Sequence, residues 1–168
     1  MKHLVISFIS PDRLGLVDTL SSLVKQHQGN WQTSSLHHLS GFFAGVIEVS
    51  ITAEQSADLI DKLQSITDFK CHIETASANV KNTSDSADII LELTANDREG
   101  IVQEISSIIN NKGGNLLKLV SSHESAPYSG QELFKAKATI SIADDSLDVL
   151  IDALENLADD LMVDISRE

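Results

Sequence analysis

Apolar residues recur along the chain at two different periods. Leu16, Val17, Leu20, Leu23 and Val24 fall at i, i+1, i+4, i+7 and i+8, the stripe of an amphipathic helix. Ile101, Val102, Ile105, Ile108 and Ile109 repeat that spacing. Two further stripes run through Leu59, Ile60, Leu63 and Ile66 and through Leu150, Ile151, Leu154 and Leu157. The pattern predicts helices over 14–27, 54–66, 98–111 and 146–159. The β-branched and apolar runs between them predict eight strands. In the first half these are "HLVISFIS", "WQTSSLHHL", "FAGVIEVSIT" and "FKCHIETA". In the second half they are "DIILELTA", "NLLKLVSSH", "LFKAKATISI" and "LMVDIS".

The two halves are copies. "DRLGLV" at 12–17 returns as "DREGIV" at 97–102, a shift of 97 − 12 = 85. At the same shift Gly29-Asn30 becomes Gly114-Asn115, and His38 becomes His123. Farther on, Phe43, Ile47, Val49 and Ile51 align with Phe134, Ala138, Ile140 and Ile142 at a shift of 134 − 43 = 91. The added residues fall near "ESAPYSGQ" (124–131), whose Pro127 and Gly130 mark a loop, where a duplicated fold tolerates insertion.

Each copy therefore reads strand, helix, strand, strand, helix, strand. That order is the split-βαβ, ferredoxin-like plan. The expected class is α+β: two βαββαβ domains in tandem, each with an antiparallel sheet covered on one face by two helices. Residues 1–77 form the first domain and 87–168 the second. The polar, Ser/Asn/Asp-rich stretch at 78–86 reads as a linker. A domain of this size is near the lower limit for a self-sufficient core, so a free sheet face or edge invites partnering between the copies or between chains, a homodimer included.

Composition narrows the function classes. The net charge is −13, and the 12 basic residues are scattered. Phosphate backbones repel such a surface, which disfavours direct nucleic-acid binding. No run approaches the ~18 apolar residues of a membrane span, and the N-terminus lacks the long apolar region of a secretion signal, so a cytoplasmic protein with no membrane partner is expected. The single cysteine, Cys71, is expected to pack as a small apolar residue. Trp31 is expected to bury against the linker or the second domain. His37 and His38 are adjacent on a strand and must point to opposite faces, which argues against a shared metal. The repeat equivalents His38 and His123 are candidates to approach one another across a pseudo-twofold axis. No cofactor or metal is implied, and no nucleophile–base set or Gly-rich phosphate loop stands out.

The chemistry concentrates at the start of each copy's first helix. Asp12 and Asp97 read as helix N-caps. Gly15 and Gly100 lie in a first helical turn, where glycine costs about 1 kcal/mol against alanine. They serve either close packing or the approach of a ligand to the backbone. A helix N-terminus offers unpaired N–H groups to a carboxylate. Arg13 and Arg98 read as solvated charge, anion attraction or a pair across a domain interface. Asn30 and Asn115 read as turn residues after the helix, with a donor and an acceptor available to a ligand.

A strand, then D-R-x-G-[LI]-V opening a helix, then Gly-Asn before the next strand, resembles the ACT domain, and both copies match. The resemblance implies a small-molecule-sensing regulatory module, commonly ligated by amino acids. It implies ligand contacts at Asp12, Arg13, Leu14, Gly15, Asn30, Asp97, Arg98, Gly100 and Asn115. A chain of two such domains and no catalytic domain resembles the glycine cleavage system transcriptional repressor family. That resemblance implies a non-enzymatic regulator. Its effector would be an amino acid, glycine among the candidates, and its partner a DNA-binding transcription activator. The alternative is a purely structural ACT adaptor that binds no ligand.

Overall fold

The computed structural model describes residues 1–76 and 87–167. The linker expected at 78–86 lies outside the described residues. The chain divides into two compact units.

In the first, β1 (Lys2–Pro11) leads through a bend into α1 (Leu16–Gln26). β2 (Asn30–Leu39) and β3 (Phe42–Ile51) form a hairpin, followed by α2 (Ala53–Gln64) and β4 (Lys70–Ala76). The strand order is β2-β3-β1-β4, antiparallel throughout. The second unit repeats the plan with β5 (Ala87–Asn96), α3 (Ile101–Asn111), β6 (Asn115–Ser125), β7 (Glu132–Ile142), α4 (Asp144–Glu155) and β8 (Met162–Arg167). Its order is β6-β7-β5-β8, again antiparallel. Both units are ferredoxin-like, as the order of periodic segments predicts.

Strand alternation decides which face is covered. On β1, Leu4, Ile6 and Phe8 are buried, and on β3 so are Ile47, Val49 and Ile51. They pack against Leu16, Leu20 and Val24 of α1 and Leu59 and Leu63 of α2. In the second unit Ile89, Leu91 and Leu93 meet Ile101, Ile105, Ile109, Leu150 and Leu154 in the same way. Burying each such side chain contributes about 1.5–3 kcal/mol, so the helical stripes hold each helix to its sheet. The opposite face of each sheet carries the alternate residues and, among the described residues of its own unit, no helix.

Some expectations hold and others change. Trp31 packs against the core of its own domain, because its register opposite Val49 turns it to the helix-covered face. Cys71 also packs against that core, half-buried, and burial raises its thiol pKa. α4 ends at Glu155 rather than near 159, since Asn156 closes the last turn on Asp152 and Leu157 bonds Leu154. The inserted segment extends the β6–β7 hairpin: Ala126 N donates to Gln131 O at 2.8 Å, with Tyr128 wholly exposed at the tip.

Candidate functional site

The repeated phrase lies on the bend between the first strand and first helix of each unit. Asp12 follows β1, and its backbone N–H donates to Gly41 O on the β2–β3 turn at 3.0 Å. In the second unit Asp97 N donates to Glu132 O at 2.9 Å, the equivalent bond. These bonds tie the bend to the neighbouring hairpin.

The aspartates are not the helix N-caps. That position belongs to Gly15 and Gly100, which hold left-handed backbone at φ 74° and 83°. A side chain at either glycine would meet nothing within 4 Å, so close packing is not their role. The reason for glycine is the backbone angle, which an L side chain adopts at a cost of about 1–2 kcal/mol. With glycine as cap, α1 and α3 have no side-chain cap bond, whereas Thr52 Oγ1 accepts from Gln55 N at the start of α2. Glycine at the cap therefore leaves the entrance of the helix open, with N–H groups and the positive end of the helix dipole facing outward.

The freed aspartate side chain meets a histidine. His38 lies near the end of β2, opposite Phe43, and its Nε2 stands 3.6 Å from Asp12 Oδ2. His123 occupies the same register opposite Phe134, with Nε2 3.6 Å from Asp97 Oδ1. The His123 ring also sits edge-on to Phe134 at 6.2 Å. Each repeat-equivalent histidine is thus placed with the aspartate of its own domain. At 3.6 Å the pair is in electrostatic reach but too long for a hydrogen bond, so the carboxylate oxygens keep capacity to accept. His37 takes the other side of β2, opposite Ala44, as strand alternation requires.

The remaining predicted residues divide. Leu14 is fully exposed on the bend, and Arg13 is exposed beside it. Arg98 Nη2 instead donates to Glu104 Oε2 at 2.6 Å, an ion pair that raises the guanidinium pKa and holds the Glu104 carboxyl below its usual range. The first copy has Thr19 at that place, and Thr19 Oγ1 bonds Gly15 O at 3.0 Å. Asn30 and Asn115 open β2 and β6, in register with Ser50 and Ser141. Eight residues of strand separate Asn30 from His38, about 26 Å at 3.3 Å per residue. Within one domain, the asparagines and the aspartate–glycine bends are at opposite ends of the sheet and do not form one site.

Sequence reasoning gave no role to Glu104 or Asp160, and it offered His38 and His123 as partners of one another rather than of Asp12 and Asp97. The histidines carried a signal, their equivalence under the repeat. Asp160 carried none: it reaches back from the α4–β8 connection to accept from Asn96 N at 2.7 Å, beside the second bend. Between α3 and β6 an apolar crevice of about 10 Å³, lined by Val102, Leu116 and Leu119 among others, has no room for an amino acid. Among the described residues no group of acidic, histidine or cysteine side chains is arranged to hold a metal ion, and no helix is long and apolar enough to cross a membrane.

A family model for the ACT domain matches residues 2–76, the first unit. No curated protein matches the chain significantly. Among solved structures, an unknown protein from Galdieria sulphuraria is 24% identical with a TM-score of 0.83, over 99% of this chain and 98% of that one. A protein provisionally named a glycine cleavage system transcriptional repressor is 16% identical with a TM-score of 0.70, also over 99% and 98% of the two chains. These likenesses show that the two-domain fold of this chain recurs along the whole length of both structures.

Proposed function

We propose that the chain is a non-enzymatic, amino-acid-sensing regulator that modulates transcription by contacting a DNA-binding protein, in the manner of glycine cleavage system control. The observation that carries the sensing reading is the bend built twice: a left-handed glycine in open space, a helix N-terminus whose cap has no side chain, and an aspartate beside a histidine. An α-amino acid has complementary groups. Its carboxylate suits the outward N–H groups without any basic side chain, and its ammonium suits Asp12 or Asp97. Arg13, Leu14 and Arg98 flank the bends and contact the effector's side chain. Asn30 and Asn115 belong to the reading only as ligands offered by a different domain or copy.

The transcriptional role draws support from the whole-chain likeness to the repressor-named structure and from the net charge of −13, which suits a protein partner better than DNA. A ligand that binds one arrangement of the domains more tightly shifts the population a partner protein reads.

Thermal unfolding with glycine and the other common amino acids tests the sensing step. An effector at a hundred times its Kd raises stability by about 2.7 kcal/mol. A flat response to every amino acid at millimolar concentration would leave the ligand-free adaptor as the reading.

A further inference from the structure

The duplicated fold provides an internal control for its own surface. The face of the first sheet that no helix covers has an apolar centre. Val5, Ile9, Phe42 and Val46 sit on the two central strands, exposed by 37%, 44%, 47% and 45%. Leu39 on β2, opposite Phe42, is 66% exposed. Matching strand registers give the counterparts in the second domain. Ile9 becomes Thr94, Val46 becomes Lys137, Ala44 becomes Lys135 and Leu39 becomes Glu124. There the charges pair, Lys137 with Glu92 at 3.9 Å and Lys135 with Glu124 at 2.6 Å. The same backbone plan therefore folds with polar or charged residues at the places of Ile9, Leu39 and Val46, while Ile90 and Leu133 keep the places of Val5 and Phe42 apolar. Apolar side chains at Ile9, Leu39 and Val46 are not a requirement of the fold, and exposed apolar patches of this kind mark interaction surfaces.

We propose that this face is the site where two copies of the chain associate, sheet against sheet about a twofold axis. Two observations select a second copy as the occupant. The first is charge. Residues 1–76 hold five basic and eight acidic side chains, net −3, whereas 87–168 hold six and sixteen, net −10. Association through the first domains keeps the strongly acidic domains from forming the contact. The second is self-complementarity. Val5, Glu48 and Glu74 share one row of the sheet, Ser7, Val46 and His72 the next, and Ile9, Ala44 and Lys70 the third. A twofold axis lying across the strands at the middle row superposes the first row of one copy on the third row of the other. Ile9 then meets Val5, Val46 meets its own counterpart, and Lys70 meets Glu74. Such an isologous contact satisfies both copies at once. Facing sheets pack about 10 Å apart at roughly −30°, within reach of the long Lys70 and Glu74 side chains at the rim. A shallow groove of about 410 Å³ beside Ser7, Ile9, Lys70 and His72 gives partner side chains somewhere to enter. This inference does not depend on the effector reading.

Sedimentation velocity on the full chain, without amino acids, tests it. Wild type is expected to dimerise at micromolar concentration. Val46→Lys, the residue the second domain carries at that place, is expected to weaken association at least tenfold while leaving the thermal midpoint unchanged at dilutions where both chains are monomeric. Lys70→Glu should weaken it too, and adding Glu74→Lys should restore it. Val120→Lys, on the second domain's open face, should change nothing. A monomeric wild type, or a dimer indifferent to Val46→Lys, would overturn the proposal. Thermal shifts with amino acids on the Val46→Lys chain then report on effector sensing separately.

Discussion

His38 Nε2 lies 3.6 Å from Asp12 Oδ2, and the duplication reproduces the relationship at His123 and Asp97 at the same distance. The pair joins the end of the second strand to the bend before the first helix, so a ligand at the bend would touch both elements. If Asp12 and Asp97 hold an effector's ammonium, Asp12→Asn with Asp97→Asn removes the charge that attracts it. The expected outcome is loss of the amino-acid-induced thermal shift, with ligand-free stability within about 0.5 kcal/mol of wild type, since both side chains are on the surface. Undiminished binding in the double variant would remove the aspartates from the site.

Gly15→Ala and Gly100→Ala separate backbone strain from crowding. Neither added methyl meets an atom within 4 Å, yet both must adopt positive φ. Each is expected to lower stability by about 1 kcal/mol, read by urea denaturation. A neutral result would mean that the bend relaxes to another conformation.

The end of the first helix carries the opposite mismatch. Gln28 holds φ 57° where the second copy has Gly113 at φ 78°. Gln28→Gly is expected to relieve left-handed strain and stabilise the first domain by about 0.5–1 kcal/mol, the gain being limited by the greater freedom of glycine in the unfolded chain. Calorimetry would show an upward shift of a few degrees.

Arg98 and Glu104 give the second domain a pH signature that the first lacks. Arg98 lowers the folded-state pKa of Glu104, so the pair's contribution is present above the unfolded carboxyl value and is lost as pH falls through the folded one. Arg98→Ala should therefore reduce stability near pH 7 and leave it unchanged once Glu104 is protonated. The difference should shrink in high salt, because both groups face solvent. A salt-independent effect would point to packing by the arginine stem.

Leu59 and Leu150 occupy the same place in the two cores, each 0% exposed. Leu59→Ala and Leu150→Ala should each cost about 2–5 kcal/mol, with the losses similar if the two cores collapse equally around the cavity. Chemical denaturation followed by circular dichroism gives both values.

Period alone made most of the architecture legible. The stripes at Leu16–Val24 and Ile101–Ile109 specify which helix faces are buried, and strand alternation specifies which sheet face they bury against. The shift of 85 announced the duplication before any coordinate. The candidate site was legible in part. The motif marked the bends, because glycine in a first helical turn is costly enough to need a reason. It misassigned the cap, because the aspartate sits only three residues earlier and a sequence does not display φ.

What the sequence determined by itself is what local spacing and burial encode: two copies, their elements, their cores, and the acidity that disfavours direct contact with nucleic acid. Tertiary structure decided what depends on distance across the chain. Strand pairing in β2–β3 and β6–β7 set His38 beside Asp12 and His123 beside Asp97, 38 − 12 = 26 positions apart in both copies. The same pairing put Asn30 and Asn115 at the far ends of their sheets. Pairing also aligned Val5, Ile9, Phe42 and Val46 on one open face, a patch assembled from two strands that no linear window contains.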